Sequence, residues 1–457
     1  MGLKSRIVKA LGIPYGEVYY RRTWPKATLS IIVANVIVYL ITSYENFFIQ
    51  LSDYWVNAGG YVPALASDPY QLYRVLTSMF LHGDIFHIFF NMYFLYIFGR
   101  AVEDALGHGR YLLLYFASGV AASIFHTAFS LLGGLNSFAI PAVGASGAIS
   151  GVLGAYLLLY PGTSLSACFI FFFYPVCFSM RAAFYLIFWF ATQVIYGYAR
   201  VAGEVAVFAH AGGFLAGIAL LPALINYEKV KTYRMLNYFK RLPFLILTYP
   251  KVRGLSHTSK YVLTILMTLV LLGSVYTTYA SQNLGEVKTL NIEYSVNGSE
   301  IRDYVVLTIN AAGVDVSGVP LDSTRILLNR LNGADLLYNE SKAGKEVSLT
   351  NVRLDAKVRV GNRYVNVVTY IKTFKGLYDS RGFLTYGSGT IETQAIIISG
   401  SNVLTGEWLT YDFNIHTQDV ALKDLTQVTS FISAVTTLTA IYTVLKKDSD
   451  LALVGEE

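Results

Sequence analysis

The sequence predicts a polytopic α-helical membrane protein that carries a separate β-rich domain. Three observations predict it. Of 457 residues, 54% are hydrophobic and only 14% are charged, about half the charged share of an average soluble domain. Apolar stretches long enough to cross a hydrocarbon layer of ~30 Å recur before residue 285. Between 285 and 424 the pattern changes to β-branched, partly alternating runs separated by Gly, Asn and Asp.

The spans read as 28–44, 85–104, 110–132, 146–160, 181–198, 204–225 and 260–280, with a hydroxyl-diluted eighth at 426–445. Basic residues set their orientation. The arm at 1–26 holds Lys4, Arg6, Lys9, Arg21, Arg22 and Lys26, and the linker at 227–259 holds Lys229, Lys231, Arg234, Lys240, Arg241, Lys251 and Arg253. Both are expected in the cytoplasm, which agrees with an even number of spans in the six-span core at 27–226. Glu45, Asp53 and Asp68 outnumber Arg74 between the first two spans, and the loop at 133–145 is uncharged. These face outward in this reading. Lys446 and Lys447 return the tail at 446–457 to the cytoplasm. The expected location is the cell membrane, with both termini inside. The apolar segment 165–178 is interrupted by Pro175; counting it as a span would place the basic linker outside, so it reads as interfacial or re-entrant.

YVVLTIN, VSLTNVRLDAKVRV and TIETQAIIISG carry the strand signature of an all-β domain, expected as a sandwich at 285–424. It follows the seventh span and is therefore expected outside the cell. Asn297-Gly-Ser and Asn339-Glu-Ser are sequons compatible with that side. The N-terminus lacks a signal-peptide pattern and is expected to remain in the mature protein. Cys168 and Cys177 offer neither a disulfide framework nor zinc spacing. The net charge of +6 is accounted for by topology and argues for no nucleic-acid partner.

The fourth span carries the most information. About 15 residues separate Ser146 from Pro161, short of the ~20 needed to cross. The helix therefore begins below the outer surface, fed by the loop FAIPAVGAS. Non-helical backbone at that depth is tolerated only inside protein or along a watery cavity. Ser146 stands at the mouth of the helix, where backbone N–H groups lack intrahelical acceptors. Gly144 and Gly147 flank it. A hydroxyl beside such amides suits acyl transfer, with a nucleophile next to oxyanion donors. Gly147, Gly151 and Gly154 equally suit a small-residue packing face. His210 lies about six residues into the sixth span, ~9 Å below its outer end. Its depth matches that of Ser146, although a structural histidine bonded to a carbonyl is the plainer alternative. His87 and Asn91, four apart, share one face of the second span and reach the same layer. His82 reads as an interfacial residue. A Ser146–His210 dyad is the simplest assignment, since no acidic third member falls at matching depth.

Together, GASG at 144–147, HIFFN at 87–91 and AHAGG at 209–213 resemble the rhomboid intramembrane serine proteases. Tyr73-Arg74, GRAVEDALG at 99–107, Trp189 and Gln193 add to the resemblance, which covers roughly residues 25–225. It implies Ser146 as nucleophile and His210 as general base. Asn91, His87 and the Ser146 N–H would form the oxyanion hole. Arg74 and Glu103 match positions that support the outer loop between the first two spans, with Gly144 and Gly147 as structural support. The chain departs from the family pattern at Ser150, where an aromatic ring usually packs on the histidine.

The implied activity is serine endopeptidase cleavage in or near transmembrane segments of membrane-protein substrates within the bilayer. An alternative is a catalytically weak or inactive rhomboid-like protein that binds membrane clients; relatives of that kind tend to lack the serine or the histidine. A channel or transporter is the third reading; the lack of Asp, Glu, Lys and Arg at span centres argues against ion coupling. No cofactor or metal motif is present in the sequence.

Overall fold

A computed structural model describes residues 24–171, 174–199, 206–241, 253–310, 313–318, 321–360, 363–399 and 402–456. Most of the basic arm and part of the basic linker lie outside the described residues. The chain divides into two compact units. One contains the helices up to Asn283 with Lys423–Glu457; the other contains Leu284–Leu422 with Ala139–Pro141.

The helical unit holds α1 (Lys26–Thr42), α2 (Ile85–Leu106), α3 (His108–Ser130), α4 (Ser146–Leu159), α5 (Ala182–Ala199), α6 (Ala206–Leu224), α7 (Tyr227–Arg241) and α8 (His257–Ala280). Helix α9 (Asp322–Gly333) belongs to the second unit, and α10 (Leu422–Lys446) and α11 (Asp448–Leu451) lead the chain back into the first. Among the described residues six helices are long and apolar enough to cross a membrane, while α1 and α4 are shorter apolar helices. The protein is therefore an integral, multi-pass membrane protein.

Helix α4 explains how a short span is tolerated. Its 14 residues rise about 21 Å, and every residue from Gly147 to Leu159 is buried. A helix apolar on all sides belongs at the centre of a bundle, where its ends meet protein rather than lipid. The outward faces of the surrounding helices are apolar instead: Val33, Ile37, Phe89, Phe188, Leu272 and Phe431 are all exposed, as a hydrocarbon solvent favours.

Small residues set the spacing of α4 and α6. A Cβ on Gly154 would come within 2.2 Å of the Phe214 carbonyl oxygen. One on Gly213 would come within 2.0 Å of the Gly147 oxygen, and one on Gly217 within 1.9 Å of the Gly151 oxygen. On the other side of α4, a Cβ on Gly147 would meet the Ala122 Cβ at 2.5 Å. The two backbones are in direct contact, the geometry that small residues permit between membrane helices.

The segment expected to be interfacial or re-entrant is an antiparallel hairpin, β1 (Ser164–Phe171) and β2 (Tyr174–Arg181), not a further span. Pro175 is accommodated because β1–β2 is a two-stranded ribbon, so each strand has an edge that donates to no neighbour.

The second unit corrects the expected sandwich. Strands β3 (Glu286–Val296), β4 (Ser299–Asn310), β5 (Gly313–Ser317), β6 (Glu346–Val360), β7 (Arg363–Tyr378), β8 (Leu384–Ser399) and β9 (Asn402–Asp419) form one antiparallel sheet in the order β5-β4-β3-β9-β8-β7-β6. Helix α9, not a second sheet, covers its apolar face: Leu327, Leu328 and Leu331 share a core with Leu290, Ile292, Ile371 and Phe413. Tyr294 bonds Thr324 Oγ1 at 2.9 Å, and Arg330 Nε donates to Thr393 Oγ1 at 2.9 Å, tying helix to sheet. Lys288, almost wholly buried, donates to Asp419 at 2.5 Å and Asp379 at 3.3 Å.

Candidate functional site

The turn that delivers Ser146 is fixed from three directions. Tyr61 and Ala142 exchange backbone bonds of 3.0 and 2.7 Å, Gly144 N–H donates to Ser78 O at 2.9 Å, and Ala145 N–H donates to His82 Nε2 at 3.5 Å. Gly144 has φ +124°, and a Cβ there would sit 2.8 Å from His87 Nε2. Both the backbone conformation and the histidine ring demand glycine at that position.

Arg74 holds the far side of this turn. Its buried guanidinium donates to Asn57 O at 2.5 Å, Gly60 O at 3.1 Å and Gln71 Oε1 at 2.7 Å. It thereby braces the loop that ends at Tyr61, the partner of Ala142. Glu103 does not support this loop, contrary to the sequence expectation. Its carboxylate accepts from Ala27 N at 2.8 Å, Thr28 N at 2.8 Å and Thr28 Oγ1 at 2.6 Å, and pairs with His108 at 2.5 Å. It caps the start of α1, where unpaired N–H groups and the helix dipole favour an anion. His82 also departs from expectation: it is 0% exposed and is a structural support of the serine turn.

Ser146 is the first residue of α4, after Ala145 as N-cap. Its Oγ lies 2.8 Å from His210 Nε2. The other ring nitrogen, Nδ1, lies 2.9 Å from Gln193 Oε1 on α5. Gln193 Nε2 donates to Thr192 Oγ1 at 3.2 Å, which turns the amide oxygen toward the imidazole. An oxygen acceptor at Nδ1 places the proton there and leaves the Nε2 lone pair facing the serine hydroxyl. Both partners of His210 are side chains, the amide oxygen of Gln193 and the hydroxyl of Ser146, rather than a backbone carbonyl. Ser146 and His210 are half-buried, open enough to meet a substrate and water.

His87 and Asn91 lie one turn apart near the start of α2, just after the supports of the serine turn. The His87 ring packs against Gly144, 5.2 Å from the His82 ring between centroids. Asn91 is buried, and its Nδ2 has no hydrogen-bond partner. A buried, unspent donor is costly and suits a site where charge appears only during reaction. The N–H groups of the first turn of α4 have no intrahelical acceptors.

Ser150, at the position of the missing aromatic ring, donates to Ser146 O at 2.6 Å. The Trp189 ring lies 6.2 Å from that of His210 between centroids. The bond to Gln193 therefore does the orienting. Sequence reasoning found Gln193 only as a flanking feature. The available signal was its type: an amide inside an apolar span, on the helix that precedes the histidine. Among the described residues no cluster of His, Cys, Asp and Glu could hold a metal ion.

Residues 69–227 match the Rhomboid domain. The chain is similar to rhomboid protease GluP of Bacillus subtilis, 44% identical over 87 residues, which are 19% of this chain and 16% of that protein. Rhomboid-like protease 3 of Toxoplasma gondii is 28% identical over 199 residues, 44% of this chain and 69% of the relative. Inactive RHOMBOID-like protein 8 of Arabidopsis thaliana is 31% identical over 101 residues, 22% of this chain and 27% of the relative. The similarity thus spans from about one sixth to just over two thirds of these relatives, and the domain match ends before α8.

Proposed function

We infer, from the chain's membership of the rhomboid family through residues 69–227, that it is an intramembrane serine endopeptidase acting on other membrane proteins. The observation that carries this reading is the 2.8 Å contact between Ser146 Oγ and His210 Nε2, with Nδ1 held by Gln193. His210 accepts the hydroxyl proton as Ser146 Oγ attacks a scissile carbonyl carbon. The oxyanion is met by Asn91 Nδ2, by His87 and by the N–H of Ser146. Collapse breaks the C–N bond, His210 gives its proton to the leaving amine, and an acyl-enzyme remains. Water, deprotonated by His210, then releases the acid and restores the serine.

The substrates are transmembrane proteins presented within the bilayer. A bond must leave its helix before attack, so segments with Gly or Pro near the outer face are preferred. In the proposed topology the basic linker and both termini are cytoplasmic, and the sheet unit is extracellular. The test is covalent. A fluorophosphonate should label the protein at Ser146, and Ser146→Ala should remove the label. An intact, well-inserted protein that takes no label would favour the client-binding reading, which the similarity to a relative named inactive keeps in view.

A further inference from the structure

The residues after α10 do not trail from the bundle. Lys447–Glu456 run back across the far end of α4, opposite Ser146. Leu453 N–H donates to Leu159 O at 2.7 Å and Val454 N–H to the same oxygen at 3.2 Å, while Gly162 N–H donates to Val454 O at 3.2 Å. The segment thus satisfies the last carbonyl of α4, one of the four that every helix leaves unpaired. Leu451, Ala452 and Leu453 are buried, and Leu451 and Leu453 share the core that contains Leu157, Leu159, Val230 and Val444.

Polar contacts fix the segment along its length. Arg234 on α7 grips it by two carbonyls, with Nη2 2.5 Å from Ser449 O and 2.6 Å from Ala452 O. Asp448, 2% exposed, accepts from Lys260 at 2.8 Å and from Leu255 N–H at 2.9 Å. Glu456 accepts from Ser256 N–H at 2.8 Å and Ser259 Oγ at 3.1 Å, at the start of α8. Two glycines admit it: a Cβ on Gly162 would lie 1.8 Å from the Gly455 oxygen, and one on Gly254 2.0 Å from Asp448 Oδ2. A buried carboxylate, a two-carbonyl arginine grip and reciprocal backbone bonds make a built peptide site, occupied by the chain's own residues.

We propose that residues 447–456 are a strap that positions the nucleophile-bearing helix, so that the site depends on chain more than 200 residues beyond the dyad. The proposal rests on the protease reading above. Helix α4 is rigid and buried all round, so a shift at Leu159 is passed along its ~20 Å axis to Ser146. An error of ~1 Å at the reacting atoms costs about 100-fold in rate. The strap acts through α4 and touches no reacting atom.

The test uses the full-length protein in bilayers, with a single-span substrate and fluorophosphonate labelling. Gly162→Ala leaves every other residue in place and forces the strap off the end of α4. It should lower kcat and the labelling rate at least 10-fold with KM within 2-fold. Deletion of 447–457 should do the same, and a synthetic peptide DSDLALVGEE added in trans should restore most of the rate. Gly162→Ala placed in the deletion background should add nothing. Asp450→Asn, at an exposed strap residue, should leave both rates within 2-fold. The strap proposal is overturned if Gly162→Ala, or the deletion in a folded protein, keeps wild-type kcat and labelling. It is equally overturned if both lower the rate but the peptide restores none of it and the two effects add, because that pattern is general destabilisation. Where the deletion does not fold, Gly162→Ala against Asp450→Asn decides alone. An intact protein that neither labels nor cleaves is a failure of the protease reading, recognisable before any strap variant is made.

Discussion

Gln193→Ala isolates the orienting bond of the dyad. The substitution leaves Ser146, His210 and the oxyanion donors untouched and removes the acceptor 2.9 Å from His210 Nδ1. The imidazole then loses its fixed tautomer and can turn its Nε2 away from the serine hydroxyl, since the Ser150 position supplies no ring to hold it. Leaving a buried donor unsatisfied costs about 1–3 kcal/mol. If that cost falls on the reactive orientation, each ~1.4 kcal/mol is tenfold in rate. The expected loss in kcat is therefore about 5- to 150-fold, with KM nearly unchanged because the amide acts through His210. Gln193→Asn, which keeps the amide on a shorter arm, should fall between. The assay is steady-state cleavage of a single-span substrate in proteoliposomes, with thermal unfolding measured on the same samples. A Gln193→Ala protein with kcat within 2-fold of wild type would show that His210 is held by something else.

Ser146→Ala and His210→Ala should each abolish cleavage, and the double variant should be no worse than either, because members of one catalytic unit are non-additive; single-turnover cleavage checks this. Asn91→Ala should lower kcat by about 10²–10³ and retain measurable turnover, the loss expected for one oxyanion donor. Gly213→Ala should separate α4 from α6, since its Cβ would sit 2.0 Å from the Gly147 oxygen; labelling should be lost together with thermal stability. Impermeant thiol reagents should label cysteines placed at 340 in intact cells and spare those at 240. In the sheet unit, burial raises the Asp379 carboxyl, but bonds from the Phe383 and Arg381 N–H groups and Lys288 outweigh it, and the net direction is down from 3.8. A depressed carboxylate stabilises the fold above its unfolded pKa. Protection factors of backbone amides near Asp379 should therefore fall as pH drops below about 4, and Asp379→Asn should remove that component.

The apolar spans were legible because length and composition are the whole signal for crossing a bilayer. The sheet was legible in its strands, but α9 was not. Its DSTRILLNRLNG reads as polar loop, and its three leucines acquire meaning only against the face they cover. The contact between Ser146 and His210 could be read because residues costly in a membrane stood at one depth. Glu103 was misplaced for the opposite reason. Its motif says that the acid matters, but which helix end it caps depends on where α1 starts relative to α2, and no local pattern encodes that. Gln193 and His82 fall between. Both are polar residues in apolar sequence, and their roles lie in partners 17 and 63 positions away.

The glycines of α4 were open to two readings, a packing face or the surroundings of a nucleophile, and under the proposed function the two are compatible. His210 reaches Ser146 because Gly213, three residues along α6, touches the Gly147 carbonyl. A side chain at either contact would hold the helices apart, and a hydrogen bond of 2.8 Å does not survive a separation of even one ångström. Close packing is thus the means by which two costly polar residues share one site. The same logic extends along α4. Gly151 and Gly154 continue the contact with α6, and Gly162 admits the strap just past the helix end. A helix too short to cross the membrane by itself is held at both ends and along one side by contacts that include close backbone approach. Its position is set by contacts that tolerate no added methyl group, which is what the proposed nucleophile would need to stay within reach of the proposed base.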